Sequence, residues 1–456
     1  MLIFCVLLSV PSALSLSDRE KISALEARVT ALETTLSDLE PLLVSRYGLI
    51  RHCLVPEVHH GVADCPDQLG PGVSCTLVCD QGYIATPGKE ATVCKEDGYW
   101  TQELQCEVPL VLVGGGAGDS GVELLSFYPS QGCDKNIAEL PLTESAARTL
   151  HTMVYVPPRT VLACNGMTGN VATCDALDIL NNTWQHHSHP NKGSKASDAL
   201  CEISPSMYSC RKNPDRKKGR YASESLHVGG KTIILGGMVY DDNGHEPSDS
   251  VRRLGKDGLG INWASLGRNM EKKRAFFCAV KVRESAFLAI GGLGQGQGGQ
   301  GNVVEQSVEY RGIKRGEKKM TKAADMSIPR SGHGCAGVPG DNLSFLVSGG
   351  TTGFGKNALT YSEIFSLKEN SWKNVAQMKT GRFGHAVVAV GEKIFAIGGD
   401  EKNPSNLLDT IEEYDVKKNS WKIITSKLKK PRANFGYTLI PHSILPGCTV
   451  SRPLDE

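Results

Sequence analysis

A short apolar run that ends in paired glycines recurs along the chain between residues 109 and 448. Five copies end in the pairs Gly114-Gly115, Gly236-Gly237, Gly291-Gly292, Gly349-Gly350 and Gly398-Gly399, and Asn165-Gly166 is a degenerate sixth. Paired glycines at the end of a strand permit positive φ and close backbone approach. One such unit cannot bury both faces of its strands alone, so we expect neighbouring units to stack around a common axis.

The composition supports a fold rich in tight turns. Glycine supplies 50 of the 456 residues, whereas aromatic residues supply only 6%, which favours an all-β chain over a helix bundle. The formal net charge of +1 indicates neither a nucleic-acid partner nor a membrane-surface protein. No later apolar run reaches 18 residues, so we expect no membrane span.

An arginine and a tryptophan accompany the glycine pairs in a fixed order. Trp184, Trp372 and Trp421 each follow an Asn-Ser or Asn-Thr pair. The arginines of the series are Arg148, Arg220, Arg274, Arg330, Arg382 and Arg432. This ordered set resembles kelch repeats, and the resemblance implies a β-propeller with one four-stranded blade per repeat over residues 109–448. Six arginines and six glycine landmarks predict six blades.

The two ends of the repeat region complement each other. The first glycine pair precedes every arginine of the series, and the last strand, Phe435–Ile440, has no glycine pair after it. We therefore expect this strand to become the inner strand of the blade that begins at Val111, which closes the ring. The closure would bring Cys448 near Cys133, and we predict a bridge between them.

A dense cysteine cluster precedes the repeats. Six cysteines allow 15 pairings, and spacing alone does not choose among them. The series Cys79-Asp-Gln-Gly-Tyr, Cys94, Gly98-Tyr-Trp and Cys106 resembles the sushi (complement control protein) module, here residues 52–107. The resemblance implies Cys53–Cys94 and Cys79–Cys106 bridges with Trp100 packed between them. Cys65 and Cys75 are additional to the family pattern, and we pair them with each other.

The remaining cysteines and two sequons fit an exported chain. We predict the bridges Cys164–Cys174 and Cys201–Cys210, whereas Cys278 and Cys335 are equally compatible with buried free thiols or a pair. Asn181 and Asn342 begin glycosylation sequons.

The N-terminus predicts export. Residues 1–15 have the short apolar stretch and small-residue site of a signal peptide. Removal of Cys5 with this peptide leaves an even number of cysteines, as expected for a secreted, disulfide-bonded chain.

A coiled-coil helix is predicted at residues 17–44. The helix opens with a capping box and closes at Pro41. Its apolar seam consists of Ile22, Leu25, Val29, Leu32, Leu36 and Leu39, which follow a heptad period. Arg28 and Glu33 would pair between neighbouring helices, as in the trimerisation motif that this segment resembles. We favour a trimer, then a dimer, and the alternative is a helix packed on its own domain.

The propeller face with the long loops is the expected binding surface. The loops after the glycine pairs and after the tryptophans share one side, and the longest runs from Gln185 to Gly219. We expect the six arginines to surround the channel mouth there and to bind an acidic peptide or an anionic glycan. The alternative is that each arginine pairs with a carboxylate of the next blade and fixes the geometry.

The sequence contains no combination of residues that favours catalysis. The His186-His187-Ser-His189 cluster has metal-capable spacing but lies in one loop, so we expect no metal, no cofactor and no enzyme activity. A copper-radical oxidase, the chemistry of another kelch-type propeller family, needs two Tyr, two His and a Cys at one centre, and this set cannot be assembled. The favoured function is secreted, oligomeric, non-catalytic recognition of an extracellular ligand. The main alternative is a matrix scaffold that binds other proteins.

Overall fold

A computed structural model describes most of the chain from Cys53 onwards. The described residues are 28, 30, 53–117, 120–128, 130–131, 148–166, 174–185, 200–204, 207–211, 219–228, 230–241, 244–257, 260–267, 269–282, 286–296, 302–312, 323–353, 356–402, 405–445 and 449–450. The predicted signal peptide and nearly all of the predicted coiled coil lie outside them. From the latter segment only Arg28 and Thr30 are described, and both are helical and exposed.

The chain forms two compact units. One is made of Cys65–Thr76, Ala91–Glu103 and the chain up to Pro56, and the other of Glu57–Asp64, Leu77–Glu90 and the chain from Leu104. The six-cysteine module therefore contributes segments to both units.

Five short strands build the six-cysteine module. They are β1 Gly61–Asp64, β2 Ser74–Cys79, β3 Ile84–Ala85, β4 Ala91–Val93 and β5 Cys106–Glu107. Strand β2 pairs with β4, with Ser74 opposite Val93, and β3 pairs with β5. So small a segment buries little apolar surface, and covalent links supply the missing stability.

The structure contains the three bridges predicted for this module. Cys53–Cys94, Cys65–Cys75 and Cys79–Cys106 have Cα–Cα separations of 5.9, 4.5 and 5.8 Å. Trp100 is fixed by its indole nitrogen, which donates a hydrogen bond to the carbonyl of Leu54 at 2.7 Å.

Six of the remaining antiparallel sheets are the blades of the propeller. The first blade contains β6 Pro109–Gly114 and β7 Val122–Leu125, with β8 Ser130–Gln131 beyond them. The second contains β9 Thr152–Val156, β10 Thr160–Cys164, β11 Cys174–Asp178 and β12 Thr183–Gln185. A separate hairpin, β13 Leu200–Ser204 and β14 Met207–Arg211, lies in the long insertion that follows.

The third blade carries a second, smaller sheet beside its main one. Its strands are β15 Gly219–Tyr221, β16 Glu224–Val228, β17 Lys231–Leu235, β18 Met238–Asp241, β19 Gly244–Pro247, β20 Val251–Asp257 and β21 Gly260–Ser265. Strands β16, β17, β20 and β21 form the blade in that order, and β15, β18 and β19 form the extra sheet.

Blades four to six follow the same inner-to-outer order. The fourth contains β22 Cys278–Val282, β23 Ala286–Gln295 and β24 Asn302–Gly312. The fifth contains β25 Gly334–Val338, β26 Asp341–Ser348, β27 Ser362–Ser366 and β28 Ser371–Asn374. The sixth contains β29 Ala386–Val390, β30 Lys393–Ile397, β31 Thr410–Asp415 and β32 Ser420–Lys427. Blade four has no tryptophan in its repeat, and three of its strands are described.

The C-terminal strand completes the first blade, as the sequence predicts. Strand β33 Gly436–Pro441 pairs with β6, with Leu439 opposite Val111. A 3-10 turn, His442–Ile444, leads on to β34 Thr449–Val450, which pairs with β8 so that Thr449 lies opposite Gln131. Cys133 and Cys448, the predicted ring-closing bridge, lie outside the described residues.

The core lies between blades rather than within them. Apolar residues of β26 and β30, such as Leu346 and Ala396, pack with Tyr414 and Trp421 in the gap between blades five and six. Because both faces of a blade are covered by its neighbours, its second strand is apolar at consecutive positions instead of at alternate ones. This explains the short apolar runs that precede the glycine pairs.

Asparagine and tryptophan of the Asn-Ser-Trp motif attach one blade to the blade before it. The indole nitrogen of Trp421 donates to the carbonyl of Ala376 at 3.0 Å, and the side-chain oxygen of Asn419 accepts from the amide of the same alanine at 2.8 Å. Trp372 and Asn370 bind Ala324 in the same way, at 2.8 Å each. Both asparagines have positive φ, which this residue tolerates well.

Three further cysteine predictions fall on the blades. Cys164 is disulfide-bonded and lies opposite Cys174 in the register of β10 and β11. Cys201 lies opposite Cys210 on the β13–β14 hairpin, but their side chains are outside the described set. Cys278 and Cys335, which the sequence left open, form a bridge between the inner strands of blades four and five, with a Cα–Cα separation of 6.0 Å.

Candidate functional site

The six arginines do not form an exposed ligand-binding ring, so that prediction is wrong. Five of them are at most 1% exposed, namely Arg148, Arg274, Arg330, Arg382 and Arg432. Arg220 is partly exposed, but its guanidinium donates to the carbonyl of Gly236, and burial lowers its pKa to about 10.

The buried arginines are structural, and Arg382 shows how. Its guanidinium donates to Glu412 at 3.0 and 3.2 Å and to the carbonyls of Gly398 and Thr410 at 2.8 Å each. Such a charge remains buried only because a carboxylate and several acceptors satisfy it.

The other four fully buried arginines have equivalent partners. The pairs are Arg148–Asp175, Arg274–Glu309, Arg330–Glu363 and Arg432–Glu123, at 2.5 to 3.0 Å. Every one of these carboxylates lies on the third strand of the arginine's own blade. The alternative expectation, a carboxylate of the next blade, is therefore wrong as well.

The arginines do connect neighbouring blades, but they do so through their backbone carbonyls. The second residue of each glycine pair donates its amide to the arginine carbonyl of the following blade, as from Gly350 to Arg382 at 2.8 Å. The six donors are Gly116, Gly166, Gly237, Gly292, Gly350 and Gly399, at 2.8 to 3.0 Å. A side chain at Gly350 would lie 2.8 Å from both a backbone oxygen and His333.

The structure also corrects the first glycine landmark. Gly115 and Gly116, with φ of +66° and +111°, occupy the positions of the later pairs, whereas the sequence suggested Gly114-Gly115. Asn165 takes the first position of the degenerate pair with φ of +65°, which explains why this copy functions without a second glycine.

A second circuit of hydrogen bonds lies two residues after each arginine. In every blade this residue has positive φ, and its amide donates to the carbonyl of its counterpart in the adjacent blade. The six residues, which we call the mouth ring, are Leu150, Ala222, Phe276, Gly332, Gly384 and Asn434, joined at 2.8 to 3.1 Å. The circuit is closed, and the inner strands begin just after it, so it encircles one end of the channel.

The mouth ring, unlike the arginines, is accessible. All six of its residues are half-buried. Leu150, Ala222 and Phe276 pack with Tyr221 in one apolar cluster that extends over blades two to four. The opposite half of the ring offers only Gly332, Gly384 and an amide side chain. One half of the ring therefore provides apolar side chains, and in the other half little side chain covers the backbone.

Sequence reasoning missed these residues because their side chains share no chemistry. Leucine, alanine, phenylalanine, glycine and asparagine occupy one structural position, and only their fixed distance from the arginine indicates it. The glycines at two of the positions and the asparagine at a third are the available signal, since these types favour positive φ.

Three histidines lie one residue further along, beneath the ring. Burial, then the charge of a neighbouring arginine, lowers the pKa of His151 and of His385 to about 3. The pKa of His333 is also well below its usual value, for the same reasons. Neither ring nitrogen of His385 has a hydrogen-bond partner. Phe277 and Phe435 occupy the same position in other blades, so these histidines behave as core residues.

Glycosylation of Asn181 and Asn342 stays a prediction, and both asparagines have side-chain partners. Asn181 is exposed, but its amide nitrogen donates to Asp178 at 3.0 Å. Asn342 is also exposed, and its side chain binds Asp80 at 2.8 Å and the amide of Gln81 at 3.0 Å. The clustered histidines at 186, 187 and 189 lie outside the described residues.

The described part of the chain holds neither a metal-binding cluster nor a membrane-spanning helix. No three His, Cys, Asp or Glu side chains are grouped there as a metal would require. Nor does any helix in that part have the length and apolarity to cross a membrane.

Two family profiles match the chain. Residues 53–106 match the sushi repeat (SCR repeat), and residues 381–428 match the kelch motif. The protein thus combines a sushi repeat with a kelch-type propeller, as its blades and bridges indicate.

Several curated proteins are similar to the propeller region. Kelch-like protein 34 of Homo sapiens is 34% identical over 163 residues, which are 35% of this chain and 23% of that protein. Kelch-like protein 23 of Mus musculus is 23% identical over 261 residues, 57% of this chain and 39% of that protein. The chain spans well under half the length of either relative. Together the domains and relatives support a protein-interaction module.

Proposed function

We propose that the chain is a secreted, non-catalytic recognition protein whose propeller binds an extracellular partner protein at the mouth ring. The observation that carries this proposal is the contrast between a repeated buried framework and the varied residues that it exposes at the ring. A repeated framework of buried arginines and glycines holds six accessible positions, and five different residue types occupy them. Such a rigid scaffold with variable exposed groups is suited to recognition.

The chemistry of the ring favours an apolar contact. Leu150 and Phe276 offer half-buried apolar surface, and no charged side chain belongs to the ring. With the arginines satisfied inside the blades, an anionic ligand loses the groups that would have bound it. We therefore expect partner binding with little dependence on salt.

Export is the second part of the proposal. The bridge between Cys278 and Cys335 joins two blades in the buried core, and three more bridges hold the sushi repeat. Structural disulfides of this kind form in oxidising compartments. Together with the apolar N-terminus, they support a secreted protein that the heptad segment gathers into oligomers.

The test is a binding screen of the secreted protein against a panel of purified receptor ectodomains, with the variant Leu150→Gly/Phe276→Gly beside it. Glycine preserves the positive φ and reproduces the residues at Gly332 and Gly384. The matched control, Leu180→Ser/Ile423→Ser, removes exposed apolar side chains elsewhere. Partners should be lost by the ring variant and kept by the control. Equal binding by both variants would refute a site at the ring.

A matrix scaffold is the second candidate, and the exposed apolar side chains of the sushi repeat favour it. A scaffold would pellet with insoluble extracellular matrix from cultured cells regardless of the ring substitutions. A recognition protein would remain in the medium.

A further inference from the structure

One layer of the channel lies directly beneath the mouth ring. It consists of the second and third residues after each mouth-ring residue, and we call it the channel layer. In this layer the second residue of one blade meets the third residue of the next blade. The observed contacts of this kind include a hydrogen bond of 2.6 Å from Thr152 to Ser225, the disulfide Cys278–Cys335 and the packing of Gly334 on Val387. The same register places Glu224 of blade three beside Ala279 of blade four.

Only three of the twelve residues in the channel layer are accessible, and all three are polar. They are Glu224, Ser225 and Tyr437, each half-buried, whereas the other nine are buried. Because neighbouring blades cover both faces of each inner strand, this exposure opens into the channel. In a closed ring of six, the gap between blades three and four, which holds Glu224, lies opposite the gap between blades six and one, which holds Tyr437. The two side chains therefore face each other across the channel.

Glu224 is a carboxyl group without a partner. Within the described part of the chain, no hydrogen bond or ion pair reaches its side chain. Burial alone raises its pKa to about 8, and burial, then the charge of Glu224, raises the pKa of Tyr437. A carboxylate in such surroundings costs free energy unless a cation compensates it.

The other charges near the mouth ring are already compensated. The five fully buried arginines are each paired with a carboxylate of their own blade, and the charge of Asp249 acts on Arg220. The three histidines beneath the ring have lowered pKa values and are neutral at pH 7. Glu224 is therefore the one carboxylate near the mouth ring for which the described residues supply no cation.

We propose that the channel layer binds the ammonium group of a lysine side chain that the partner protein inserts through the mouth ring. This inference rests on the proposed recognition function. The layer lies about 7 Å beneath the ring, because a strand rises about 3.3 Å per residue, and the flexible four-carbon stem of lysine spans such a depth. An ammonium group has three donors, and the carboxylate of Glu224, the hydroxyl of Ser225 and the phenol of Tyr437 offer acceptors.

Binding of the ammonium group is linked to the loss of one proton. In the free protein Glu224 is mainly protonated at pH 7, since its pKa is about 8, and the carboxylic acid must release its proton to solvent before it compensates the cation. Affinity should therefore rise by up to about tenfold per pH unit between pH 6 and 8 and level off above about pH 8. Because the pair is buried, added salt should weaken it little.

The experiment uses the full-length secreted protein and an array of seven-residue peptides in which leucine, phenylalanine and alanine surround a central lysine. The matched array carries acetyl-lysine, which keeps the stem and loses the charge. We expect the parent to bind the lysine array at least tenfold more strongly, and Glu224→Gln, which preserves the shape of the side chain, to bind both arrays nearly equally.

The matched control is Glu369→Gln, which neutralises an exposed carboxylate in the turn between β27 and β28 and should bind as the parent does. Thermal denaturation checks that both variants fold. The Kd of the best lysine peptide is then measured by fluorescence anisotropy from pH 6 to 9. It should fall up to about pH 8 for the parent and stay constant for Glu224→Gln.

The outcomes separate this inference from the proposed function. Equal binding of the two arrays by the parent would overturn the lysine site, and so would a preference for lysine that survives in Glu224→Gln. Absence of binding to either array would overturn it too. The ectodomain screen with Leu150→Gly/Phe276→Gly tests the mouth ring without reference to lysine, so a ring-dependent receptor found beside any of these results would leave the proposed function standing.

Discussion

Arg382 illustrates how a side chain that is usually exposed becomes part of a core. Its guanidinium is saturated by Glu412 and two carbonyls, and Glu412 in turn accepts the amides of Lys379 and Thr380 at 2.6 and 3.0 Å. Each of the five repeats with a fully buried arginine thus contains a polar unit that links the residue before the inner strand to a carboxylate on the third strand. Buried polar networks of this kind are stable only when every member is satisfied.

Removal of one member should therefore be costly. Arg382→Ala leaves Glu412 buried without its counter-charge, and we expect the free energy of unfolding to fall by about 3–5 kcal/mol. Arg382→Met combined with Glu412→Gln should lose clearly less, since no charge remains. Urea denaturation measures both.

The control is Lys417→Ala, which breaks an exposed pair with Glu392 and should have little effect. If Arg382→Ala and Lys417→Ala destabilise equally, the arginine is not a structural anchor.

The buried histidines predict a dependence of stability on pH. The folded pKa of His385 is about 3, below the ordinary value of 6.5, so the unfolded chain binds a proton more readily. Stability is thus retained above pH 6.5 and declines as the pH falls towards 3. Each such histidine contributes a slope of up to about 1.4 kcal/mol per pH unit in this window.

His385→Phe tests this, because Phe277 and Phe435 already occupy the same position in other blades. The variant should be at least as stable as the parent at pH 7.5, and its advantage should grow at pH 5. Parallel stability curves for parent and variant between pH 7.5 and 4.5, measured by urea denaturation, would contradict a lowered pKa of His385 in the folded protein.

At the scale of strands and blades, the sequence predicts the order of elements better than the position of the site. Repeated glycines and arginines indicated six blades, and the unmatched strand at Phe435–Ile440 indicated closure with Val111. Both predictions follow from the repeated residue pattern and from the number of strands that each repeat supplies. The role of Arg382 could not be obtained in this way, because whether a guanidinium faces a ligand or an internal carboxylate depends on the strand that packs against it.

The mouth ring could not be predicted from the sequence for a related reason. Its residues are defined by backbone conformation, and a positive φ at Phe276 or Leu150 leaves no mark on side-chain type. The sushi bridges, in contrast, were available because a family pattern restricts the pairing of cysteines far more than spacing does.

The disulfide between blades four and five should stabilise the folded propeller. Cys278 and Cys335 are 57 residues apart, and a loop of this length corresponds to about 4 kcal/mol of lost unfolded-state entropy in the chain-entropy account. Replacement of both by alanine should lower the free energy of unfolding by about 2–4 kcal/mol. Thermal denaturation without reductant measures the change, and adding reductant to the variant controls for the other bridges. A variant with unchanged stability would contradict a structural role.

At the scale of the whole molecule, the propeller is a closed circuit of blades. Two sets of backbone hydrogen bonds run around it, one from glycine amides to arginine carbonyls and one within the mouth ring. The circuit depends on β33, because β6 would otherwise present an unpaired edge.

Loss of that strand should affect every blade. A chain that ends after Asn434 lacks β33, and we expect it to lose its cooperative thermal transition and to aggregate. A chain that ends after Leu445 keeps the strand and serves as the control. Circular dichroism and light scattering measure both properties. A cooperative transition in the shorter chain would show that the ring does not need closure.

The pairing of β6 with β33 has a consequence for the time course of biosynthesis. Leu439 and Val111, which face each other in the finished blade, are separated by more than 300 residues of chain. At ordinary rates of translation the first strand waits roughly 15–60 s for its partner to emerge. During that interval an apolar, edge-exposed segment must be shielded, so newly made chains are expected to depend on chaperones until β33 has emerged and paired.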